Sequence, residues 1–296
     1  MAYLLAARAR NTWIGLMPGV FVVLWSTGFI GGKLGLPYAP PLTFLALRFA
    51  IVALLLLALS LATRAPWPRR WSEAGHIAIA GLLVQGVYLG GVFASIAAGV
   101  QAGVSAIIVG IQPLLVAAIV GPFLGERVSR LQWTGLLLGL AGVALVVFDK
   151  LGAGLGTPLG MGLSGLALLG ITFGTVYQKR FCGGMDLRTG NVIQFAVSAL
   201  AMLLLALFGE TMRIRWTGEF VFALTWLCLV LSLGAISLLY LLIRRGAAAK
   251  VSSLFYMVPP VTAVMAYFLF DETLSPLALL GMAITVAGVA MVNLPR

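Results

Sequence analysis

Catalysis requires a nucleophile with its base, paired carboxylates or a metal-ligating cluster, and each can be sought by residue type and spacing. Gly162-Leu163-Ser164-Gly165 is a Gly-x-Ser-Gly arrangement that could present a serine nucleophile inside a membrane. Such a serine needs a base within hydrogen-bond reach. The only histidine, His76, opens the third apolar run, while Ser164 falls toward the opposite membrane face in the sixth. The acidic residues Glu73, Glu126, Asp149, Asp186, Glu210, Glu219, Asp271 and Glu272 all fall in connections or within about a turn of a helix end. There is no His-Glu-x-x-His motif and no pair of intramembrane aspartates. Cys182 and Cys228 are too few and too separated for a disulfide framework or a metal site. The expectation is a protein that is not an enzyme and uses no metal or cofactor.

Binding groups are more plentiful. Arg48 is the one charge well inside an apolar run. Such a charge costs about 2.5–3.5 kcal/mol at a helix centre and less near an interface. Two readings stay open: it partners a substrate carboxylate, or it snorkels to the surface or pairs with Asp271-Glu272. Gln85, Tyr88, Val92 and Ser95 share one helical face, as do Ser105, Val109, Gln112 and Val116. Gln112 precedes Pro113, and Ser253, Phe255 and Tyr256 precede Pro259 and Pro260. A proline lacks the N–H that would bond the preceding turn, which frees a carbonyl there. In a membrane such a carbonyl is tolerated only beside protein or a watery cavity. These two segments are therefore candidate cavity walls, with the prolines as helix breaks or gating points. Trp25, Phe29, Phe173, Tyr177 and Tyr240 could add an aromatic lining for apolar or aromatic substrates. For every one of these residues, packing against lipid or a neighbouring helix is the competing reading.

The elements that must position these groups follow from composition. Of 296 residues, 61% are hydrophobic and 9% charged, with a mean hydropathy of +1.10. Soluble domains carry about a quarter charged residues, so lipid must solvate most of this chain. Apolar runs long enough to cross a bilayer occur at about 14–33, 42–63, 75–97, 102–123, 132–149, 158–179, 189–208, 220–243, 250–270 and 276–294. The net charge of +11 comes from basic residues in the connections, where it sets membrane orientation rather than marking nucleic-acid binding. With the N-terminus cytoplasmic, fourteen Lys and Arg lie inside and four outside. The prediction is a multi-pass protein of the bacterial cytoplasmic (inner) membrane with both termini cytoplasmic.

An internal repeat organises the runs. At an offset of 146, Lys33 meets Lys179, Thr43 meets Thr189, Glu73 meets Glu219, Pro113 meets Pro259, Glu126 meets Glu272 and Ser129 meets Ser275. Ala141-Gly142-Val143-Ala144 recurs as Ala287-Gly288-Val289-Ala290. Five spans per copy is odd, so the second copy enters the membrane inverted. The predicted fold is an all-α polytopic membrane protein, with ten transmembrane helices as two inverted five-helix repeats (1–149 and 150–296) around a central cavity. Such repeats place a substrate at the midplane and support alternating access. Glycines four apart in the fifth and tenth spans, such as Gly135/Gly139, suggest a scaffold or a dimerisation surface.

Leu24-Trp25-Ser26-Thr27-Gly28-Phe29, Leu47-Arg48-Phe49, and Pro113 followed by Gly125-Glu126-Arg127-Val128-Ser129 resemble the EamA-type pattern of the drug/metabolite transporter superfamily. Its second occurrence reads Pro259 with Asp271-Glu272-Thr273-Leu274-Ser275. Within that family the chain is similar to the bacterial YddG aromatic amino-acid exporters. The resemblance implies ten helices around a central cavity and export of small metabolites. The second copy departs from the pattern at Gln194, which stands where Arg48 stands in the first. With no acidic group deep in a span, the expected activity is facilitative export of neutral or zwitterionic solutes, amino acids including aromatic ones. The alternative within transport is proton-coupled export of other metabolites or drugs. The expected partners are the small-molecule substrate and the lipid bilayer, with the chain a monomer or homodimer.

Overall fold

The computed structural model describes residues 2–100, 102–148, 156–270 and 274–294, with side chains for all of these except 2–15, 29, 33, 102, 103 and 270. The described residues contain ten helices long and apolar enough to cross a membrane. They are α1 Leu16–Tyr38, α2 Pro41–Ala62, α3 Trp71–Ala97, α4 Val104–Leu124 and α5 Arg130–Phe148 in the first repeat. The second holds α6 Pro158–Phe181, α7 Leu187–Gly209, α8 Gly218–Arg245, α9 Ala248–Leu269 and α10 Pro276–Asn293. Ten crossings return the chain to the side from which it starts, called here the terminal side.

Local chemistry sets the helix ends. Thr157 accepts a hydrogen bond from Gly160 N, Ser275 from Ala278 N and Thr217 from Phe220 N, which caps α6, α10 and α8. Asp186 caps α7 through Arg188 N. Proline follows the cap of α6 and of α10 at the first helical position, where no N–H is needed. Gly125 closes α4 with φ +68°, a left-handed conformation open to glycine.

The repeat reappears as geometry. α2 packs along its mate α7, and α5 along its mate α10. The other mates share their irregularities. α3 widens into π-helix over Leu82–Leu89, and α8 over Leu227–Ala235. α4 breaks at Gly110 and Ile111, and α9 tightens into a 3₁₀ turn over Leu254–Met257. Both interruptions lie in the turn before the prolines, as the missing N–H groups require.

The α5–α10 contact is a glycine seam. A Cβ on Gly135 would fall 2.6 Å from Gly288 O, and one on Gly281 would fall 2.7 Å from Gly142 O. Backbones approach this closely only without side chains between them. The seam corrects the dimerisation reading of these glycines, because they are consumed inside one chain.

Candidate functional site

The aromatic core of the site grows from α1 and α9. Trp25 and Phe255 meet edge to face at 5.2 Å, and Phe21 lies 5.3 Å from Trp25 and 5.5 Å from Phe255. Ser26 ties the two helices by donating to Val258 O at 3.3 Å. Beside this cluster lies a cavity of about 60 Å³ measured at water centres, room for roughly four waters. Trp25, Tyr88, Gln112, Phe255, Tyr256 and Pro259 line it, with Val92, Ile96, Ser105, Ala106, Val109, Gly110, Val143, Ile171 and Val258. It runs from mid-membrane toward the side opposite the termini, since Ile96, Ser105 and Ala106 stand at those ends of α3 and α4.

Several lining residues are mates 146 positions apart: Trp25 with Ile171, Val109 with Phe255, Gly110 with Tyr256, and Gln112 with Val258. A cavity lined by mates lies on the pseudo-two-fold axis. In each pair one member is aromatic or polar and the other small or aliphatic, so a symmetric frame encloses an asymmetric site. Gly139 makes room for the Tyr256 ring, which a Cβ there would approach to 2.5 Å. Gln112 donates through Nε2 to Ser252 Oγ at 3.2 Å. Its Oε1 and the Tyr256 hydroxyl are buried without partners. Such groups carry a desolvation cost unless something polar enters beside them.

Of the residues singled out in sequence, the structure brings Trp25, Tyr88, Gln112, Phe255, Tyr256 and Pro259 to this cavity. Phe29 has its side chain outside the described residues. Pro113 and Pro260 sit beside the lining without joining it. Phe173 is 45% exposed and faces outward, which corrects its assignment to the aromatic lining. Tyr177 is corrected likewise: its hydroxyl pairs with His76 Nδ1 at 2.7 Å, near the terminal side. Ser164 is fully buried between Ser95 at 2.7 Å and Ser105 at 2.9 Å, so its hydrogen-bond partners are serines. Val143 and Ile171 escaped sequence reasoning. Ile171 was reachable as the repeat mate of Trp25, whereas nothing in sequence turns Val143 inward.

Gln85 and Tyr240 are buried outside the cavity lining, which corrects their assignment to it, and Tyr240 reaches Gln194 instead. Gln194 accepts from the Tyr240 hydroxyl at 2.5 Å and donates to Gln178 Oε1 at 2.9 Å. Its mate Arg48 is 1% exposed, which corrects the snorkelling reading. Arg48 Nε donates to Ser232 Oγ at 3.1 Å, and Nη2 has no partner among the described residues; the pairing with Asp271-Glu272 falls outside them.

Polar contacts tie helix ends together on the terminal side. Lys179 Nζ lies 2.5 Å from Glu126 Oε1 and also donates to Gly246 O. Glu126 Oε2 accepts from Ala248 N at 2.9 Å. The latch thereby joins the α4–α5 connection to α6 and to the start of α9. Arg244 donates to Met185 O and Arg180 to Phe123 O on the same side.

The sequence pattern of the EamA-like transporter family matches residues 13–148 and again 158–294. The chain belongs to the EamA-like transporter family. The two matches fall on the two structural repeats, so the EamA unit is the five-helix repeat. The uncharacterized inner membrane transporter YedA of Escherichia coli K12 is 28% identical over 274 residues, spanning 93% of this chain and 88% of that one. A probable amino-acid metabolite efflux pump of Escherichia coli K12 is 26% identical, spanning 93% of this chain and 92% of that one. A crystal structure of another protein superposes with a TM-score of 0.79 at 21% identity, covering 94% of this chain and 95% of that chain. That likeness concerns the fold alone. As an EamA-family protein the chain is a multi-pass membrane transporter.

Proposed function

We propose that this EamA-family chain exports small neutral or zwitterionic metabolites, amino acids including aromatic ones, across the bacterial cytoplasmic membrane by alternating access. One observation carries the reading: a cavity on the pseudo-two-fold axis, walled by Trp25, Tyr88, Phe255 and Tyr256, at the interrupted turns of α4 and α9. Aromatic faces hold apolar and aromatic side chains, and the Gln112 and Tyr256 groups offer hydrogen bonds for a polar end. With both termini cytoplasmic, the Lys179–Glu126 latch closes the inner side, and the cavity lies in the outer half. Residues 1–149 and 150–296 then rock about the cavity to expose it inward. The amino-acid metabolite efflux pump of Escherichia coli supports the substrate class, and the inner membrane transporter YedA supports the membrane. Among the described residues no carboxylate lies deep in a span, so transport proceeds without an obligatory proton.

The test is a proteoliposome screen of amino acids, nucleosides and cationic dyes, with and without a pH gradient. Aromatic amino acids should exchange at similar rates in both conditions. Exchange that vanishes without the gradient would refute the facilitative mechanism. Movement of dyes or nucleosides alone would refute the substrate class.

A further inference from the structure

Arg48 is a cation enclosed by protein with an unsatisfied donor. It is 1% exposed, its Nε donates to Ser232 Oγ at 3.1 Å, and its Nη2 is buried with no partner among the described residues. Its guanidinium carbon stands 5.7 Å from the Phe49 ring centre, and the Cys228 thiol reaches the Arg48 carbonyl at 3.7 Å. Two described carboxylates on the same side of the membrane have partners of their own. Glu210 accepts from Leu42 N, Thr43 N and Thr43 Oγ1 at the start of α2, and Glu219 accepts from Tyr38. Burying a charge is strongly unfavourable unless something compensates it.

The repeat supplies an internal control. Gln194, the mate of Arg48, has its own hydrogen bonds met, with Tyr240 donating to its Oε1 and its Nε2 donating to Gln178, although the nearby Gln85 amide is buried without partners among the described residues. Where this position is neutral its hydrogen bonding is complete within the chain, and where it is charged the hydrogen bonding stays open. A scaffold role alone would accept the neutral solution twice. Tyr88 is an electrostatic neighbour of Arg48, and the Trp25 indole lies against the Tyr88 hydroxyl. Both aromatic residues are cavity wall. Arg48 itself is not among the lining residues, so it lies outside the cavity on the side of Tyr88.

We infer that Arg48 is the counter-charge of a carboxylate subsite opening off the cavity behind Tyr88. The inference rests on the reading of that cavity as the substrate site and specifies the substrate class, a small solute with one carboxylate. A guanidinium fork presents paired N–H donors that match a carboxylate edge, and Nη2 is the donor left for it. A single buried cation suits a singly charged group. The aromatic cluster of Trp25 and Phe255 then takes the rest of the solute.

Ligand-induced thermal shifts of the full chain in detergent, and uptake in proteoliposomes, should be measured with matched pairs. The pairs are phenylalanine against its primary amide and 3-phenylpropionate against 3-phenylpropanamide. In the unmodified protein the acids should half-saturate at least tenfold lower than the amides. Arg48→Gln should shrink that ratio to twofold or less. Arg48→Lys should leave an intermediate preference, since a point charge replaces the fork, and it decides the matter if Arg48→Gln does not elute as a monodisperse species. No acid preference anywhere in the panel would overturn the inference, as would a tenfold preference that survives either substitution. Acid preference for 3-phenylpropionate with no amino acid bound or moved would refute the amino-acid reading and keep the subsite. Amino acids that move without acid preference would do the reverse.

Discussion

Arg48 and Gln194 occupy equivalent places in the two repeats, and the difference between them shows how single residues specialise a symmetric frame. Both are buried, but only the neutral one has its hydrogen bonds completed by Tyr240 and Gln178. Sequence could flag Arg48 because a charge in an apolar run is conspicuous. It could not say whether the guanidinium reaches the surface, since two turns of helix leave both directions open. Residues at the helix ends are simpler. Asp186 caps α7 and also pairs with Arg188 at 2.8 Å. The Arg188 hydrogen bonds hold the Asp186 carboxyl below the usual carboxylate range. A lowered value means that its stabilisation is complete above the ordinary carboxylate pKa of about 3.9. That contribution fades as pH falls through the lowered value. Asp186→Ala should cost about 0.5–2 kcal/mol near neutral pH. Thermal midpoints taken from pH 7 down to acid should show the penalty shrinking only below the ordinary carboxylate range.

At the scale of elements, helix type and order were legible because apolar runs of bilayer length have few alternatives in lipid. The irregular segments were half legible. The prolines announced breaks in α4 and α9, but the π-helical stretches of α3 and α8 carry no proline and no sequence mark. The glycine seam was visible as spacing, whereas its partner was undetermined, since a second chain and the repeat mate satisfy the same pattern. The structure chooses the mate. Gly142→Val should push against Thr285 N, 2.6 Å from an added Cβ, and Gly281 O at 2.7 Å. Such overpacking costs about 1–3 kcal/mol. Gly165→Ala, with nothing within 4 Å of its added Cβ, should leave the melting midpoint in detergent within a degree or so. Equal effects from the two would contradict the seam.

For the whole molecule, a few long-range polar contacts on the terminal side lie over a small buried cluster of Val116, Val120, Val176 and Ala248. Lys179, Glu126 and the Ala248 amide join three elements that must separate if the cavity is to open on that side. Lys179→Met should release them and shift the population toward terminal-side opening. Cys182 reports the change, being 1% exposed on that side with the latch in place. In a Cys228→Ser background, maleimide labelling of Cys182 should rise at least fivefold with the latch removed. An unchanged rate would mean that the latch does not hold the closed state.

The sequence by itself determined that this chain is a ten-helix membrane protein of two inverted repeats. That much follows from period, composition and parity, which act along the chain. It also singled out the aromatic and proline-flanking residues from which the cavity is built. Tertiary structure alone decided that Trp25, Tyr88, Phe255 and Tyr256 share one cavity while Phe173 faces outward and Tyr177 meets His76. It alone left Arg48 buried with a free donor. In lipid, inward and outward helix faces can both be apolar, so hydrophobic pattern does not say which face turns in. Rotation about each helix axis is set by close backbone contacts such as the glycine seam, and those exist only between helices.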